Sequence, residues 1–240
     1  MIGIFKKVVR KSFNIIGLDI RRIPPYEKNK LVWLKDFNVN TILDIGANEG
    51  QFAIEVSRFI PNAHIYSFEL LKDIFEKLIA NSYKICSSFQ CYNVALGNFN
   101  GITKIFRSHF SPSSSLLEMA KLHEQAFPFT KKRWEEEVIV RRLDDVIEEK
   151  NLNLIDNVFI KLDVQGYEKE VIYGGLNTFK KAKIVVTDIS FYELYKRQPL
   201  FEDVYNLLLS IGFKYKGSIN TTFHSKTGLP LFADAIFVKE

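Results

Sequence analysis

The sequence has few cysteines and no long apolar run, and both absences narrow its class. Cys86 and Cys91 are the two cysteines among 240 residues, too few for the disulfide framework of a small secreted protein. The apolar runs extend over a handful of residues, whereas a membrane-spanning helix needs about 18 to 20. No short apolar segment with a small-residue cleavage site follows Met1. We therefore expect no leader peptide and a cytoplasmic location.

Glycine and proline are also sparse, at 12 and 7 residues, which excludes collagen-like and most low-complexity chains. With 47% hydrophobic and 25% charged residues, the composition is that of a soluble globular protein. A chain of this length suits one substantial domain with a small appendage, because single cores stop growing beyond about 250–300 residues. We predict a basic arm over residues 1–32 and one domain over 33–240, with an insertion at 96–143.

The positive charge is concentrated in the arm. Residues 1–32 contain eight basic and two acidic side chains, a net +6, whereas the whole chain carries +5. Apolar and basic residues interleave there, which predicts an amphipathic basic helix that ends near Gly17. Two interpretations stay open: the helix docks on its own domain, or residues 1–22 lie on an anionic membrane at its inner face. The rest of the chain lacks a basic excess, so we expect no nucleic-acid partner.

From Thr41 onward, short apolar runs alternate with helical segments, which predicts βαβ units and a mainly parallel sheet. The last two strands should pair antiparallel at one edge, since the loop at 217–231 is too short for a crossover helix. The predicted strands lie near 41–45, 63–68, 88–94, 157–162, 183–189, 212–216 and 232–238. The predicted helices lie near 50–59, 71–81, 144–150, 167–174 and 201–210.

The insertion at 96–143 interrupts this alternation. We predict a hairpin about residues 98–101, followed by a polar stretch at 111–115. Long insertions in a compact domain are usually functional or disordered. We therefore expect this segment to cover a bound substrate.

The turn after the first predicted strand is the first place to look for a ligand, because open α/β sheets bind ligands beyond the carboxyl ends of their strands. Asn48 and Gln51 stand where a dinucleotide fingerprint would have its second and third glycines. What remains is Asp44, Gly46 and Gly50: a carboxylate at a strand tip, then glycines that let a ligand approach the backbone. Such a carboxylate can bind an ammonium group through charge-assisted hydrogen bonds.

This turn resembles motif I of class I methyltransferases that use S-adenosylmethionine. Glu69 ends the second predicted strand, 25 residues after Asp44, where a carboxylate can accept both hydroxyls of a ribose. The alternative for Glu69 is an exposed acid that caps the next helix. Asn93 and Ala95, after the third strand, would border an adenine. The residues expected to bind the donor are Asp44, Gly46, Asn48, Gly50, Phe52, Glu69, Leu70, Asn93 and Ala95.

The run Ile-Lys-x-Asp-x-x-Gly-x-Glu at 160–168 resembles the signature of the FkbM-type methyltransferases. Flanking segments agree with this resemblance, which covers roughly residues 36–240: 113–117, 142–146, 189–195 and 233–238. One departure is Asp188, where the family more often has Glu. The resemblance implies a Rossmann-like, doubly wound seven-stranded sheet with the last strand antiparallel. It also implies S-adenosylmethionine as donor and O-methylation, frequently of sugar or polysaccharide hydroxyls.

Methyl transfer to a hydroxyl requires a base or a Lewis-acidic metal to activate that hydroxyl. Asp163 and Asp188, at the tips of the fourth and fifth strands, would flank the donor's methyl group. In the favoured interpretation Asp163 is a base or orients the acceptor, and Lys161 and Glu168 hold it by pairing. In the other, the two aspartates bind Mg²⁺. Asp163 as a helix N-cap and Lys161 as a structural ion-pair partner also stay open.

Histidines supply further candidate bases: His109 and His123 in the insertion, and His224 in the last loop. His64 is expected to be structural, and the two cysteines to be buried thiols. We therefore predict an O-methyltransferase that acts on a sugar or glycoconjugate. The alternatives are N-methylation of nucleic acid or protein, although the fourth strand tip lacks the Asp/Asn-Pro-Pro-aromatic run of base-amino methyltransferases, and a non-catalytic module that binds S-adenosylmethionine.

Overall fold

The computed structural model describes residues 2–18, 30–86 and 88–240. The chain divides into two compact units, Met1–Asp36 and Phe37–Glu240. In the first unit, helix α1 spans Ile2–Ile15, where the sequence predicts a helix; its amphipathic character stays a prediction. The end of the predicted membrane-contacting segment, at 19–22, lies outside the described residues. Within the described ranges, no helix is both long and apolar enough to span a bilayer.

A seven-stranded sheet forms the centre of the second unit. Its strands are β1 (Thr41–Ile45), β2 (His64–Glu69), β3 (Phe89–Asn93), β7 (Val158–Leu162), β8 (Ala182–Ser190), β9 (Lys214–Phe223) and β10 (Pro230–Val238). They are arranged in the order β3-β2-β1-β7-β8-β10-β9. The first five are parallel, and β10 pairs antiparallel with both β8 and β9. All seven predicted strands and the antiparallel edge are confirmed, although β9 is longer than predicted.

The five predicted helices are confirmed: α2 (Gln51–Phe59), α3 (Lys72–Asn81), α5 (Leu143–Glu149), α6 (Glu168–Gly174) and α8 (Phe201–Ser210). Two further helices of six residues each were not predicted, α4 (Lys121–Ala126) and α7 (Leu176–Lys181). Each is too short to show a helical period in the sequence. The 3-10 helices lie at Val32–Phe37, Ser82–Lys84, Ser111–Ser113 and Pro128–Thr130.

The insertion contains a second, three-stranded sheet of β4 (Ala95–Leu96), β5 (Gly101–Ser108) and β6 (Arg133–Arg141). The predicted hairpin about 98–101 is wrong, because β4 and β5 do not pair with each other. Both lie beside β6, β4 in parallel and β5 antiparallel. The physical reason is visible at Asn100, whose Oδ1 accepts the N–H of Arg142 at 2.9 Å. The turn is thereby bonded to the end of β6.

The burial of the central strands explains their near-continuous apolar sequence. Every residue of β1 is buried, Asp44 included, and β7 is buried at every position except Lys161. Parallel strands covered on both faces are expected to be apolar along their length. The two charged side chains on these strands, Asp44 and Lys161, are the exceptions to this apolar pattern.

Candidate active site

The turn between β1 and α2 passes close to the end of β7, and a glycine stands at the point where the two backbones approach each other. Gly46 has φ +80°, and a Cβ on it would lie 1.9 Å from the carbonyl oxygen of Asp163. The N–H groups of Gly46 and Ala47 both donate to the carbonyl of Phe68 at 3.0 Å. Gly50, at φ +89°, is the N-cap of α2. This geometry requires glycine at position 46, since another residue would be both strained and in collision.

Glu69 fixes the tip of β2 against that turn. Its Oε2 accepts the N–H of Asn48 at 2.9 Å, and its Oε1 accepts the N–H of Leu71, the N-cap of α3, at 2.8 Å. Burial raises the pKa of the Glu69 carboxyl, and the backbone hydrogen bonds oppose that rise. Glu69 is therefore bonded to the helix start, as one interpretation predicted, but it is buried and not exposed. Asn93 Nδ2 donates to the carbonyls of Glu69 and Leu70.

A cavity of about 270 Å³, the first cavity, opens at the carboxyl ends of β1, β2 and β7. The predicted site residues that line it are Gly46, Asn48, Phe52, Glu69, Leu70, Ala95, Lys161 and Asp163. The insertion contributes Ser111, Pro112, Ser114, Ser115 and Leu116 to its wall. Gly50 and Asn93 shape the surrounding backbone without lining it. The structure thus brings most of the predicted donor-binding set together around one space.

Asp44 lies behind this cavity and does not line it. Its carboxylate is fully buried, with Ser67 Oγ 3.4 Å from Oδ2 and Lys161 Nζ 3.9 Å from Oδ1. Burial raises the pKa of Asp44 to about 6, and the Lys161 ammonium opposes that rise. Direct contact between Asp44 and a ligand ammonium group stays a prediction.

Lys161 forms the ion pair that the sequence suggested. Its Nζ lies 3.2 Å from Asp163 Oδ2 and 3.3 Å from the carbonyl oxygen of Gly46. Burial lowers the pKa of Lys161, but the Asp163 and Asp44 carboxylates outweigh it, and the net pKa is raised. A positive charge is therefore held between the turn after β1 and the tip of β7.

Glu168 holds the turn after β7 instead of holding Asp163, which corrects the predicted pairing. Its Oε1 accepts the N–H groups of Val164 at 3.2 Å and Gly166 at 3.1 Å. Burial raises the pKa of Glu168 to about 7. The group that does bond Asp163 is Gln165, whose Nε2 donates to Asp163 Oδ1 at 2.7 Å.

The interpretation of Asp163 as a helix N-cap is wrong. Helix α6 begins at Glu168, and its N-cap is Tyr167. Four residues therefore separate Asp163 from the helix. Its carboxylate is instead in the first cavity, between the Lys161 ammonium and the Gln165 amide.

A second cavity of about 300 Å³ adjoins the first, and both are lined by Pro112 and Gln165. Its aromatic lining comprises Phe110, Phe127, Phe129, Tyr195 and Phe232, together with His123. Asp188 reaches this cavity, and its Oδ1 is buried without a hydrogen-bond partner among the residues described. Burial and the neighbouring Asp163 and Glu168 carboxylates raise the pKa of Asp188 well above its usual value. Asp163 and Asp188 thus lie in adjoining cavities that share one glutamine.

The remaining candidates lie outside both cavities. His224 is in the turn between β9 and β10, where its Nδ1 accepts the N–H groups of Lys226 and Thr227; the structure does not bring it to the other candidates. His109 lines neither cavity, and His64 begins β2 at the end away from them.

Cys86 and Cys91 are half-buried, which corrects the prediction of buried thiols. In the described part of the chain, no cluster of three or more His, Cys, Asp or Glu side chains could hold a metal ion.

Sequence reasoning missed two residues that connect the cavities, Gln165 and Tyr195. The Tyr195 hydroxyl lies 2.9 Å from Gln165 Oε1 and 3.2 Å from the carbonyl oxygen of Ser113. Both residues stand in segments that carry the family resemblance, 160–168 and 189–195. Their contact spans 30 positions, however, and no local pattern indicates it.

Comparison with known proteins identifies the family. The profile of the methyltransferase FkbM domain matches residues 44–215. The chain belongs to the FkbM methyltransferase family. A relative, the 2-O-methyltransferase NoeI of Sinorhizobium fredii, is 30% identical over 180 residues, which cover 70% of this chain and 71% of NoeI. The FkbM protein described here is therefore a methyltransferase that depends on S-adenosylmethionine.

A solved structure has the same fold. A candidate O-methyltransferase from Klebsiella pneumoniae is 11% identical, with a TM-score of 0.50, over 98% of this chain and 89% of that protein. The magnesium protoporphyrin IX methyltransferase of Synechocystis, solved with bound S-adenosylmethionine, is 13% identical with a TM-score of 0.49, over 98% and 97% of the two chains. At 11% identity the likeness to the Klebsiella protein concerns the fold alone.

The residues around the first cavity fit S-adenosylmethionine. Each Glu69 oxygen accepts one backbone N–H, which leaves a lone pair on each for the ribose hydroxyls. Leu70 and Ala95 would bound the adenine with apolar atoms, and the turn at Gly46 leaves no side chain in the way. When bound, S-adenosylmethionine supplies a methyl group activated by a sulfonium.

Proposed function

We propose that this protein methylates a hydroxyl group of a sugar or glycoconjugate, with the donor in the first cavity and the acceptor in the second. The observation that carries the proposal is the second cavity itself, which combines aromatic walls with a carboxylate that has one buried oxygen, and which adjoins the first cavity at Gln165. Small-molecule sites typically combine apolar walls with a few placed polar groups. A sugar offers apolar C–H faces to the rings and hydroxyls to the carboxylate. O-methylation is also supported by the name of the relative NoeI.

The chemistry requires a group that takes the proton of the acceptor hydroxyl. Asp188 Oδ1 has no hydrogen-bond partner among the described residues, so it can accept that proton. Burial and the neighbouring carboxylates raise the pKa of Asp188, and a carboxylate with a higher pKa is a stronger proton acceptor. Asp163 is on the other side of Gln165, where it would orient the acceptor toward the donor. If the two aspartates work instead through Mg²⁺, activity will disappear on treatment with EDTA and return with added Mg²⁺.

Donor binding can be tested at Glu69. Glu69→Ala should weaken S-adenosylmethionine binding about ten- to a hundredfold, because hydrogen bonds to a charged group contribute about 1.5–3 kcal/mol. Titration calorimetry measures this affinity. Glu49→Ala is the matched control, since Glu49 pairs with Lys77 at 2.8 Å on the surface and does not line the cavity. Equal affinity in the two variants would remove Glu69 from the donor site.

The acceptor class can be tested with isotopically labelled donor and separate glycan, RNA and protein extracts. Mass spectrometry of the labelled product identifies the methylated atom. A label on a sugar oxygen is the expected result. A label on a nitrogen of RNA or protein would replace this proposal with N-methylation, and donor binding without labelling of any extract would favour a non-catalytic module.

We also propose that residues 1–22 bring the enzyme to an anionic membrane. The support is the net charge of +6 over residues 1–32 together with helix α1, since basic residues near an anionic surface contribute about 1 kcal/mol each. The full chain should co-sediment with vesicles that contain phosphatidylglycerol and not with pure phosphatidylcholine vesicles. Unchanged co-sedimentation after deletion of residues 1–22 would refute this proposal.

A further inference from the structure

We infer that His123 binds a second hydroxyl of the acceptor, so that the second cavity selects a ligand with two hydroxyls on an apolar ring. The inference rests on the proposed function and names a specificity-determining residue for it. It starts from hydrogen-bonding groups of the second cavity that no described residue satisfies.

His123 is the first of these groups. The side chain lines the second cavity, the residue is 4% exposed, and neither Nδ1 nor Nε2 has a hydrogen-bond partner among the described residues. Buried polar groups are nearly always hydrogen-bonded in native proteins, because an unsatisfied one is costly. A ligand in the cavity can supply the partner that the protein lacks.

The His123 ring is held by its neighbours before any ligand binds. It lies between the rings of Phe127 and Tyr195, with centroids at 5.1 and 5.0 Å and both contacts edge-on. The Phe127 N–H also donates to the carbonyl of His123 at 2.8 Å. A ligand would therefore meet an ordered imidazole, and little conformational entropy would be lost on binding.

The protonation state of His123 selects the kind of ligand group. Burial, assisted by the nearby Arg133 guanidinium, lowers the pKa of His123 to about 4. The neutral ring has one donor and one acceptor nitrogen. A hydroxyl can both donate and accept, so it complements a neutral imidazole, whereas a carboxylate or phosphate would call for a cation.

The second unsatisfied group is Asp188 Oδ1. Tyr195 contacts His123 with its ring, and its hydroxyl is bonded to Gln165 at the junction of the two cavities. Asp188 and Tyr195 both line the second cavity, and burial together with the negative charge of Asp188 raises the pKa of Tyr195. We therefore assign the reacting hydroxyl to Asp188 and a second hydroxyl to His123, in a cavity that Tyr195 also lines.

The test combines a protein variant with ligand variants. The probes are a panel of methyl glycopyranosides and their monodeoxy analogues, with labelled S-adenosylmethionine as donor. For the wild-type protein, one deoxy analogue should lose about ten- to a hundredfold in kcat/KM relative to its parent, because the site's polar group is then unpaired. His123→Phe keeps an aromatic ring but loses both ring nitrogens. Its kcat/KM for the parent glycoside should therefore fall to the value that the wild-type protein shows for that deoxy analogue.

Two further measurements separate recognition from a structural role. Donor affinity should be unchanged in His123→Phe. Its melting temperature should equal or exceed that of the wild type, since the change removes an unsatisfied buried group, whereas a structural role predicts a lower value. His109→Phe, in the same insertion and outside both cavities, is the matched control. His123→Asn, which retains a donor and an acceptor, should keep part of the discrimination and provides a second variant if His123→Phe fails to fold.

The outcomes distinguish this inference from the proposed function. If the wild-type protein methylates a glycoside and His123→Phe discriminates between parent and deoxy analogue as the wild type does, the inference is wrong and the proposed function stands. If the wild-type protein binds the donor but methylates no carbohydrate, the proposed function is wrong and the inference fails with it.

Discussion

The side-chain amide of Gln165 donates to Asp163 Oδ1 at 2.7 Å. The carbonyl oxygen of the same amide accepts from the Tyr195 hydroxyl at 2.9 Å. Asp163 lines the first cavity, Tyr195 lines the second, and Gln165 lines both. One glutamine therefore bonds a wall of the first cavity to a wall of the second, the proposed donor and acceptor sites. In-line transfer depends on the alignment of the two substrates. Breaking the hydrogen bond between Gln165 and Tyr195 therefore tests whether this link aligns them.

Tyr195→Phe removes the hydroxyl that bonds Gln165 and keeps the ring that packs against His123. We expect kcat to fall about three- to tenfold with donor affinity unchanged, since a neutral hydrogen bond contributes about 0.5–1.5 kcal/mol. Steady-state kinetics and calorimetry give the two quantities. Tyr192→Phe is the control, because Tyr192 is 40% exposed and lines neither cavity. A wild-type kcat in Tyr195→Phe would show that the link does not align the substrates.

Much of the fold could be predicted because its signals are local. The strands β1 and β7 are apolar over their buried length, and their tips carry Asp44 and Asp163 close to the ligand edge, as the topology of open sheets requires. The position of Glu69 beside the turn after β1 follows from the same rule. The turn-forming glycines at 46 and 50 could likewise be read from their place between a strand and a helix.

The internal fold of the insertion and the second cavity could not be predicted, because they depend on contacts between distant residues. Ala95 pairs with Val140, 45 positions later in the sequence. The sequence near residues 98–101 does not indicate this distant pairing, so nothing there argued against a hairpin. Gln165 reaches both Asp163 and Tyr195 with its backbone at φ +55°, a conformation that sequence rarely indicates for glutamine. His123 enters the second cavity on α4, a helix of six residues.

Gly46→Ala should abolish donor binding. It should also lower the free energy of unfolding by more than backbone strain alone would. A non-glycine residue in the left-handed region costs about 1–2 kcal/mol, and at Gly46 the added Cβ would also lie 1.9 Å from the Asp163 carbonyl oxygen. Gly228→Ala is the matched control, since Gly228 has φ +69° with no atom within 4 Å of the added Cβ. Urea unfolding should show a cost of about 1 kcal/mol for the control and a clearly larger one for Gly46→Ala. Equal costs would mean that the turn can move away from β7.

Lys161→Met should destabilise the protein by about 3 kcal/mol, because it leaves the buried Asp44 carboxylate without its cation. The pKa of Asp44, about 6 with Lys161 present, should rise further in the variant. The loss of stability in Lys161→Met should therefore grow as the pH rises above about 6, where the Asp44 carboxylate becomes charged. Lys169→Met is the control: Lys169 pairs with the half-exposed Asp203 at 3.5 Å, and such surface pairs contribute at most about 1 kcal/mol. Similar costs for the two variants at pH 8 would show that Lys161 does not neutralise a buried charge.

Glu168→Gln should make the protein more stable at alkaline pH. Burial raises the pKa of Glu168 from 4.5 to about 7 in the folded state, so the folded chain holds this proton more tightly than the unfolded chain. The stability that Glu168 contributes is fully present below pH 4.5 and is lost as pH rises through about 7. Glutamine has no such proton, and its carbonyl oxygen can still accept the N–H groups of Val164 and Gly166.

The free energy of unfolding, measured by urea titration at pH 5 and pH 8, tests this sign. The stability of Glu168→Gln relative to wild type should be higher at pH 8 than at pH 5 by about 2 kcal/mol, on the scale of about 1.4 kcal/mol per unit of pKa shift. Glu170→Gln, two positions along the same helix, is the control. A pH-independent difference for Glu168→Gln would mean that the carboxyl is ionised in the folded protein already at pH 5, and that its two hydrogen bonds outweigh its burial.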